Sequence, residues 1–295
     1  MTLLLDFILL ATAFGLFIPI LVLFIECSLA LLPNKVDRFD TTLPSPSIAV
    51  LVPAHNEASG IGTTLSELSP QLKETDRLIV IADNCQDQTA AIATRHNTIV
   101  LERIDQENRG KGYALDYGLK YLEPNPPEIL VIVDADCVCH QGTIETIAQL
   151  ANSTQRPVQA VYLMEKPPAP TPKDSISALA FMVKNLVRPI GLSRLGLPCL
   201  LGGTGMAFPW PVIQKISLAS GNIVEDLQLG LDLAMAGNPP ILCSEARVIG
   251  ILPQEEEAAK SQRTRWEHGY LKTLLSQVPN LVGESFRQKR LDLLA

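Results

Sequence analysis

Four short apolar segments in the first half of the chain constrain its fold more than any other feature. Each would be apolar on both faces as an extended strand. Between these segments, apolar residues recur at the spacing of an α-helix. The segments span residues 47–53, 77–82, 98–102 and 128–133. Strands with two apolar faces are typical of parallel sheets covered by helices. The alternation therefore predicts an α/β fold with a mostly parallel sheet flanked by helices.

Acidic side chains follow three of these segments. Glu57 follows the first, Asp83 the second, and the pair Asp134 and Asp136 the fourth. Ligands of such sheets bind beyond the carboxyl ends of the strands, so these residues should share one rim. Glu57 and Asp83 can accept hydrogen bonds from a nucleobase and ribose. Helix capping by neighbouring polar residues is the alternative role for these turns, and both roles can hold together.

The Asp134-Ala135-Asp136 motif suits a divalent cation that neutralises a diphosphate. One carboxylate would bind Mg²⁺ or Mn²⁺ and the other a ribose hydroxyl. A plain strand-terminating turn is the alternative interpretation, since Asp is common in turns. Lys111 lies in a flexible basic turn before a helix and is a candidate phosphate contact.

Two further motifs lie in predicted helices. Asp226, in the pair Glu225-Asp226 at a helix start, is the candidate base that takes a proton from an attacking hydroxyl. The alternative is a favourable interaction of both acids with the helix dipole. Gln262, Arg265 and Trp266 share one helix face. Arg265 can fork onto a phosphate and Trp266 can stack on a sugar, although an amphipathic helix at a membrane surface uses the same residues.

The N-terminus predicts a membrane anchor. Residues 7–25 carry no charge, lie between Asp6 and Glu26, and can span the roughly 30 Å apolar core of a bilayer. A cleaved signal peptide would require a basic start and a small-residue cleavage site, which this segment lacks. Lys35 and Arg38 follow it, so the positive-inside rule places the main domain in the cytosol.

Composition and cysteine spacing exclude other classes. The formal net charge of −7 argues against a nucleic-acid partner. The six cysteines show no disulfide-framework spacing, and Cys137, Cys139 and His140 lack the second ligand pair of a zinc site. The predicted organisation is an anchor (1–32), a linker (33–46), a catalytic domain (47–254) and an amphipathic interface-helix region (255–295).

Taken in order, the Asp-x-Asp, Glu-Asp and Gln-x-x-Arg-Trp motifs resemble those of membrane-bound family 2 glycosyltransferases, the cellulose-, hyaluronan- and chitin-synthase-like enzymes. The resemblance implies a GT-A fold and inverting transfer from a UDP-sugar to a glycan or lipid-linked acceptor. It implies that Asp136 binds the metal, that Gln262 and Arg265 grip the diphosphate, and that Asp226 is the base. It also implies acceptor contacts at an acceptor-side loop and two further residues, namely Gly203, Thr204, Gly205, Glu225 and Trp266.

The resemblance further implies an integral protein of a bacterial plasma membrane, in synthesis of a surface polysaccharide or glycolipid. Processive relatives carry membrane helices after Gln-x-x-Arg-Trp, whereas residues 271–295 hold no spanning run. The chain is therefore expected to be either non-processive or a fragment. A sugar-phosphate nucleotidyltransferase and a non-catalytic nucleotide-sugar-binding module remain alternatives. The first would need a basic Gly-rich loop after the first strand, and the second a broken acidic motif.

Overall fold

A computed structural model of the chain describes residues 2–33, 44–167, 170–251 and 256–294. Most of the predicted linker, residues 34–43, and the predicted domain boundary at 254/255 lie outside these ranges. The first half contains the predicted alternation of strands and helices. Its elements are α1 (Thr2–Ala30), β1 (Ile48–Ala54), α2 (Ile61–Leu68), β2 (Arg77–Asp83), α3 (Thr89–Arg95), β3 (Ile99–Arg103), α4 (Lys111–Leu122) and β4 (Ile129–Ile132).

The second half contains shorter elements, several of which have no clear sequence pattern. The elements are β5 (Val138–Cys139), α5 (Thr143–Thr154), β6 (Val158–Glu165), α6 (Pro172–Met182), a π-helical segment (Val183–Val187), α7 (Arg188–Arg194), β7 (Met206–Pro209), α8 (Trp210–Ile213), α9 (Glu225–Met235), β8 (Ile241–Ile251), α10 (Glu256–Gln288) and a 3₁₀ turn (Leu291–Leu294). Helix α10 continues past the predicted end at residue 277 and contains Pro279. Its C-terminal end is held on α9, where the Gln288 side chain donates to the carbonyl of Met235 at 3.1 Å.

The strands form one mixed sheet in the order β3-β2-β1-β4-β7-β6-β8-β5. Strands β3, β2, β1 and β4 are mutually parallel, whereas β7 runs antiparallel between β4 and β6. Two apolar clusters cover the two faces of this sheet. The predicted α/β fold is confirmed. Strand β1 lies between β2 and β4, so the chain connections that follow β1 and β4 run to opposite sides of this point in the sheet. Such a change of direction opens a crevice at the carboxyl ends of the two strands.

Helix α1 is apolar around most of its circumference, and its side chains from Leu4 to Phe24 are exposed. Within the described residues, two helical segments are long and apolar enough to span a bilayer: Leu4–Ala30, with a mean hydropathy of 2.8, and Pro172–Arg194, with 1.2. A core helix also meets these criteria, and Pro172–Arg194 packs on β6. The structure therefore contains the N-terminal candidate span that the sequence predicts.

The C-terminal part of α1 is docked on α7. The carboxylate of Glu26 is almost fully buried and accepts a hydrogen bond from Arg188 Nε at 2.5 Å. Gly191 lies so close to the backbone of Glu26 that a Cβ at this position would collide with it. Helix α1 is therefore fixed on the main domain by an ion pair to the buried Glu26 carboxylate and by a close backbone contact.

Gly191→Ala should separate α1 from α7 and lower the free energy of unfolding by about 1–3 kcal/mol, since overpacking here meets rigid backbone. Thermal unfolding followed by circular dichroism measures the change. Gly283→Ala in α10 is the matched control, because a Cβ there meets nothing within 4 Å and should be neutral or slightly stabilising. Equal melting temperatures for the two variants would show that the α1–α7 contact contributes nothing.

Candidate active site

The ends of β1, β2 and β4 form the floor of a cleft at the crevice of the sheet. We call it the strand-end cleft, lined by Pro53, Ala54, His55, Glu57, Asp83, Asn84, Arg109, Gly110, Lys111, Ala114, Asp134, Ala135 and Asp136. Its volume is about 380 Å³, within the range of about 300–1,000 Å³ that is usual for small-molecule sites. The structure thus brings the four acidic residues predicted for the rim into one cleft.

The β2 end of the cleft is rigid. Asp83 is buried and pairs with Arg103 from the end of β3 at 2.6 Å. The ring of His55 makes a 2.7 Å hydrogen bond with the backbone carbonyl of Asp83. Asn84 supports the turn after β2 with a φ of 52° and binds the N–H of Asp105 through its side-chain oxygen. The sequence analysis did not identify Arg103, although it ends a strand as the predicted residues do.

Glu57 is half-buried in the same cleft. Burial, together with the nearby charges of Asp136 and Asp134, raises the pKa of Glu57 to about 7. Its backbone N–H donates to Thr89 Oγ1 at 2.8 Å, which fixes the loop after β1. A carboxyl group with this pKa accepts or donates a hydrogen bond near neutral pH.

Lys111 connects three segments of the site. Its ammonium group pairs with Asp134, lies 3.9 Å from Glu225 and donates to the carbonyl of Gly203 at 2.7 Å. Burial opposes the charge of Lys111, but the carboxylates of Asp134 and Glu225 raise its pKa above the ordinary value. Lys111 is therefore already engaged by protein groups, whereas the sequence predicted a phosphate contact for it.

The Gly203–Gly205 loop closes the site beside Lys111. Gly203 has a φ of +88°, and a Cβ there would lie 3.3 Å from Lys111 Nζ, 3.4 Å from Asp226 Oδ2 and 3.8 Å from Asp134 Oδ2. Glycine is therefore required both by conformation and by space. Thr204 is completely buried, and its hydroxyl accepts the N–H of Asp134 at 3.0 Å. Its side chain supports the loop, and its predicted acceptor contact stays a prediction.

A second cavity adjoins the cleft at Lys111, Asp134 and Asp136. We call it the helix-side cavity; its volume is about 270 Å³, and it is lined by Lys111, Asp134, Asp136, Tyr162, Met164, Phe181, Lys184, Asn185, Gly202, Gly203, Ile223, Val224, Glu225, Asp226, Gly250, Ile251, Gln262, Trp266 and Tyr270. Glu225 and Asp226 enter it from the first turn of α9. Burial raises the pKa of Glu225 to about 7 against the opposing charge of Lys111.

Helix α10 forms one wall of the helix-side cavity. Gln262, Trp266 and Tyr270 line it at a spacing of four residues. Arg265 is exposed and lies outside the lining residues. The structure therefore brings Gln262 and Trp266 to the site, but it leaves Arg265 on a neighbouring side of the helix. Tyr270 continues the same row and was detectable from its spacing, but the sequence analysis missed it.

The opposite wall contains residues that no sequence motif indicated. Tyr162 of β6 packs edge-on against Phe181, with ring centroids 5.1 Å apart, and Phe181 lies 6.4 Å from Trp266. Lys184 belongs to the π-helical segment and hydrogen-bonds the hydroxyl of Tyr270. Segments of π-helix frequently occur at functional sites. They leave no local signature in a sequence, so only the structure identifies Lys184.

Asp134 and Asp136 are suited to hold a divalent cation. Their oxygen atoms and the sulfur of Cys137 lie within 4.8 Å of one another. Burial raises the pKa of the Cys137 thiol, so this group stays protonated. Carboxylate oxygens without a thiolate favour Mg²⁺ or Mn²⁺ over zinc. The donor set thus fits the predicted cofactor.

A family profile described as "Glycosyltransferase like family 2" matches residues 44–269. The chain belongs to this family. One relative of this chain is the 4,4'-diaponeurosporenoate glycosyltransferase of Staphylococcus haemolyticus. It is 27% identical over 62% of this chain and 50% of its own length. An uncharacterised protein of Methanocaldococcus jannaschii is 35% identical over 35% of this chain and 40% of its own length. The chain spans half or less of the length of these relatives.

Solved structures show the same fold. A mannosyltransferase from Pyrobaculum calidifontis, in complex with GDP-Man and Mn²⁺, superposes over 90% of this chain and 74% of its own, with a TM-score of 0.66 and 21% identity. Glucosyl-3-phosphoglycerate synthase from Mycobacterium tuberculosis, in complex with Mn²⁺, UDP and phosphoglyceric acid, covers 82% and 83% with a TM-score of 0.53 and 18% identity. The predicted GT-A-type fold is confirmed.

Proposed function

We propose that this glycosyltransferase is an inverting, metal-dependent enzyme at a membrane. It moves a hexose or N-acetylhexosamine from a UDP-sugar to a hydroxyl group of a glycan or lipid-linked acceptor. The product enters a surface polysaccharide or a glycolipid. The catalytic domain faces the cytosol, with α1 as the anchor in a bacterial plasma membrane.

One observation carries this proposal: two cavities meet at a shared set of charged residues. Lys111, Asp134 and Asp136 line both the strand-end cleft and the helix-side cavity. A nucleotide in the strand-end cleft would therefore direct its diphosphate and sugar toward the helix-side cavity, where Asp226 lies. This arrangement suits transfer between two substrates, and it supports an enzyme over a binding module that needs only the first cavity.

The residues divide into a donor side and an acceptor side. Glu57 and Asp83 contact the nucleoside, and Asp134 a ribose hydroxyl. Asp136 would hold Mg²⁺ or Mn²⁺, which neutralises the charge that develops on the leaving diphosphate. Gln262 contacts the diphosphate from α10. Arg265 keeps its predicted diphosphate role.

On the acceptor side, Asp226 takes the proton of the attacking hydroxyl. Glu225 and the backbone of Gly203 and Gly205 border the acceptor, and Trp266 provides a flat face for its sugar or ring. The reaction is a single displacement at the anomeric carbon through an oxocarbenium-like state. The new bond forms opposite the bond that breaks, so the configuration inverts.

The donor assignment is supported by structural neighbours that bind UDP with Mn²⁺ and GDP-Man with Mn²⁺. The resemblance to polysaccharide synthases favours UDP. The membrane assignment is supported by the apolar helix α1 and by its fixed contact with α7.

Asp136→Asn should abolish the metal dependence of UDP binding. Loss of a residue that hydrogen-bonds a metal ligand typically lowers metal affinity by roughly 10–100-fold, and loss of a direct ligand should lower it by at least as much. Calorimetric titration of UDP with Mn²⁺, and then with a chelator, measures the effect, and GDP is titrated in parallel. Asp116→Asn is the control, because Asp116 pairs with Lys120 on the surface of α4. Tighter binding of GDP than of UDP would overturn the UDP assignment, and binding unchanged by Asp136→Asn would overturn the metal site.

A further inference from the structure

An apolar groove lies on the far side of the helix-side cavity. We call it the tail groove; its walls come from α7, α9, α10 and the 3₁₀ turn, and its apolar lining includes Leu200, Leu227, Leu274, Val278, Leu281 and Leu293. Its volume is about 410 Å³, which again falls within the usual range of about 300–1,000 Å³ for ligand sites. Leu274 is 56% exposed and Val278 47%. The groove thus leaves apolar side chains in contact with water unless a ligand covers them.

The tail groove adjoins the proposed reaction site. A small neck joins the two spaces: Lys184 and Tyr162 line both the neck and the helix-side cavity, and Leu227 lines both the neck and the groove. Tyr270 lines all three spaces. The groove and the helix-side cavity are therefore neighbouring spaces that share Tyr270.

Lys184 and Tyr270 are among the polar side chains in the lining of the neck, which is otherwise largely apolar. Lys184 hydrogen-bonds Tyr270 at the neck, and within the described part of the chain it has no carboxylate at ion-pair distance. Burial raises the pKa of Tyr270 to about 12, and the charges of Asp226 and Glu225 contribute to the same shift. Polar groups at the neck can therefore bind an oxygen atom of a head group, while most of the groove lining is apolar.

A third observation lies inside the groove. Thr273 lines it and is only 3% exposed, and among the described residues its hydroxyl oxygen has no hydrogen-bond partner. A buried hydroxyl without a partner costs about 1–3 kcal/mol. An oxygen atom of a ligand, at the junction of its head and its chain, would satisfy this group. A pure hydrocarbon would not.

We propose that the tail groove holds the apolar chain of a lipid acceptor whose hydroxyl head reaches Asp226 through the neck. This inference rests on the proposed function and specifies its acceptor as a lipid with an oxygen-containing link between head and chain, such as a diacylglycerol. The hydroxyl oxygen forms the bond to the anomeric carbon while the bond to the diphosphate breaks. The hydroxyl proton passes to Asp226, and the electron pair leaves with the diphosphate.

The position of the groove beside the anchor favours a lipid over a protein partner. One wall is α7, which holds α1 through the Arg188–Glu26 pair and the close contact at Gly191. Arg188 itself lines both the neck and the groove. The groove therefore lies next to the helix that supports α1, on the side from which a bilayer lipid would approach.

Photolabelling tests this proposal on the full chain in phosphatidylcholine nanodiscs. The probe is a diacylglycerol with a diazirine in one acyl chain, and mass spectrometry locates the labelled peptides. Wild-type protein should be labelled in α9, in α10 or in the 3₁₀ turn. Leu274→Trp should fill the groove and reduce this labelling about tenfold. Leu275→Trp is the matched control, because Leu275 is the next residue of α10, is 74% exposed and lies outside the groove.

Thr273→Val is a second variant that keeps the shape of the side chain and removes its hydroxyl. It should reduce labelling about threefold, because the lipid would lose the contribution of one hydrogen bond to its binding free energy. Equal labelling in wild type, Leu274→Trp and Leu275→Trp would overturn the proposal. Labelling confined to α1 would also overturn it. A third contrary result would be a dimer, detected by mass photometry, in which the groove is not labelled, since a second copy of the chain would then occupy the groove.

Titration of UDP with Mn²⁺ on the same variants separates the two proposals. Retained UDP binding together with unaffected labelling would overturn the lipid site alone. If the groove is labelled but wild-type protein binds no nucleotide, both the proposed function and the assignment of the lipid as its acceptor would be wrong. Loss of labelling in Leu274→Trp with UDP binding intact supports both.

Discussion

Replacing Asp226 by Asn should lower the rate of sugar transfer by about 10²–10⁴-fold, the usual contribution of a general base. The amide keeps the shape of the side chain but cannot take the proton of the attacking hydroxyl. UDP binding should be unchanged, because Asp226 lines the helix-side cavity and not the strand-end cleft. Steady-state transfer from a panel of UDP-sugars to extracted membrane lipids measures the rate, and calorimetry measures the binding.

Two comparisons sharpen this experiment. Asp232→Asn alters the same helix at a residue that hydrogen-bonds Gln228 at 2.8 Å and should leave transfer near the wild-type rate. Glu225→Gln should have a smaller effect than Asp226→Asn, because Glu225 lies against Lys111. A larger loss in Glu225→Gln would reassign the base to Glu225, whose pKa of about 7 also suits proton transfer near neutral pH.

Lys111→Met should lower the free energy of unfolding by about 3 kcal/mol and weaken UDP binding. The change leaves the largely buried carboxylates of Asp134 and Glu225 without their cation, and breaking such a buried pair costs about 3–5 kcal/mol. It also releases the carbonyl of Gly203, so the loop that separates the two cavities loses one of its fixed points. Chemical denaturation followed by circular dichroism, with Mn²⁺ absent, measures the stability.

Lys120→Met is the matched control for that substitution. Lys120 lies on the same helix and pairs with Asp116 at 2.7 Å, but its side chain is 67% exposed. Loss of an exposed pair should cost less than about 1 kcal/mol. Similar losses in the two variants would show that Lys111 does not hold the site together and would return it to the predicted role of a phosphate contact.

The first half of the fold was predictable because its signal is local. Strands apolar on both faces imply a covered parallel sheet, and parallel strands end at one edge. This is why Glu57, Asp83, Asp134 and Asp136 could be placed in one cleft without coordinates. The motif order then indicated the family, which the profile match shows.

The second half was less predictable because its signal is distant. Strand β7 inserts antiparallel between β4 and β6, and no periodicity within its four residues indicates those partners. On α10, helical spacing correctly grouped Gln262 with Trp266, but it could not fix which side of the helix faces the site. Gly269 decides this, since it packs against Val224 so closely that a Cβ would lie 2.8 Å from that side chain.

The sequence by itself determined the parallel strands, the acidic rim and the candidate base, because each depends on residues that are neighbours along the chain. Only the tertiary structure decided that Lys111 is held by carboxylates, that Lys184 and Tyr270 form a neck, and that an apolar groove lies behind it. These features join α4, the π-helical segment, α9 and α10, which are far apart in sequence. Their contacts depend on how the helices pack on the sheet, and packing between distant segments leaves no periodic pattern in any one of them.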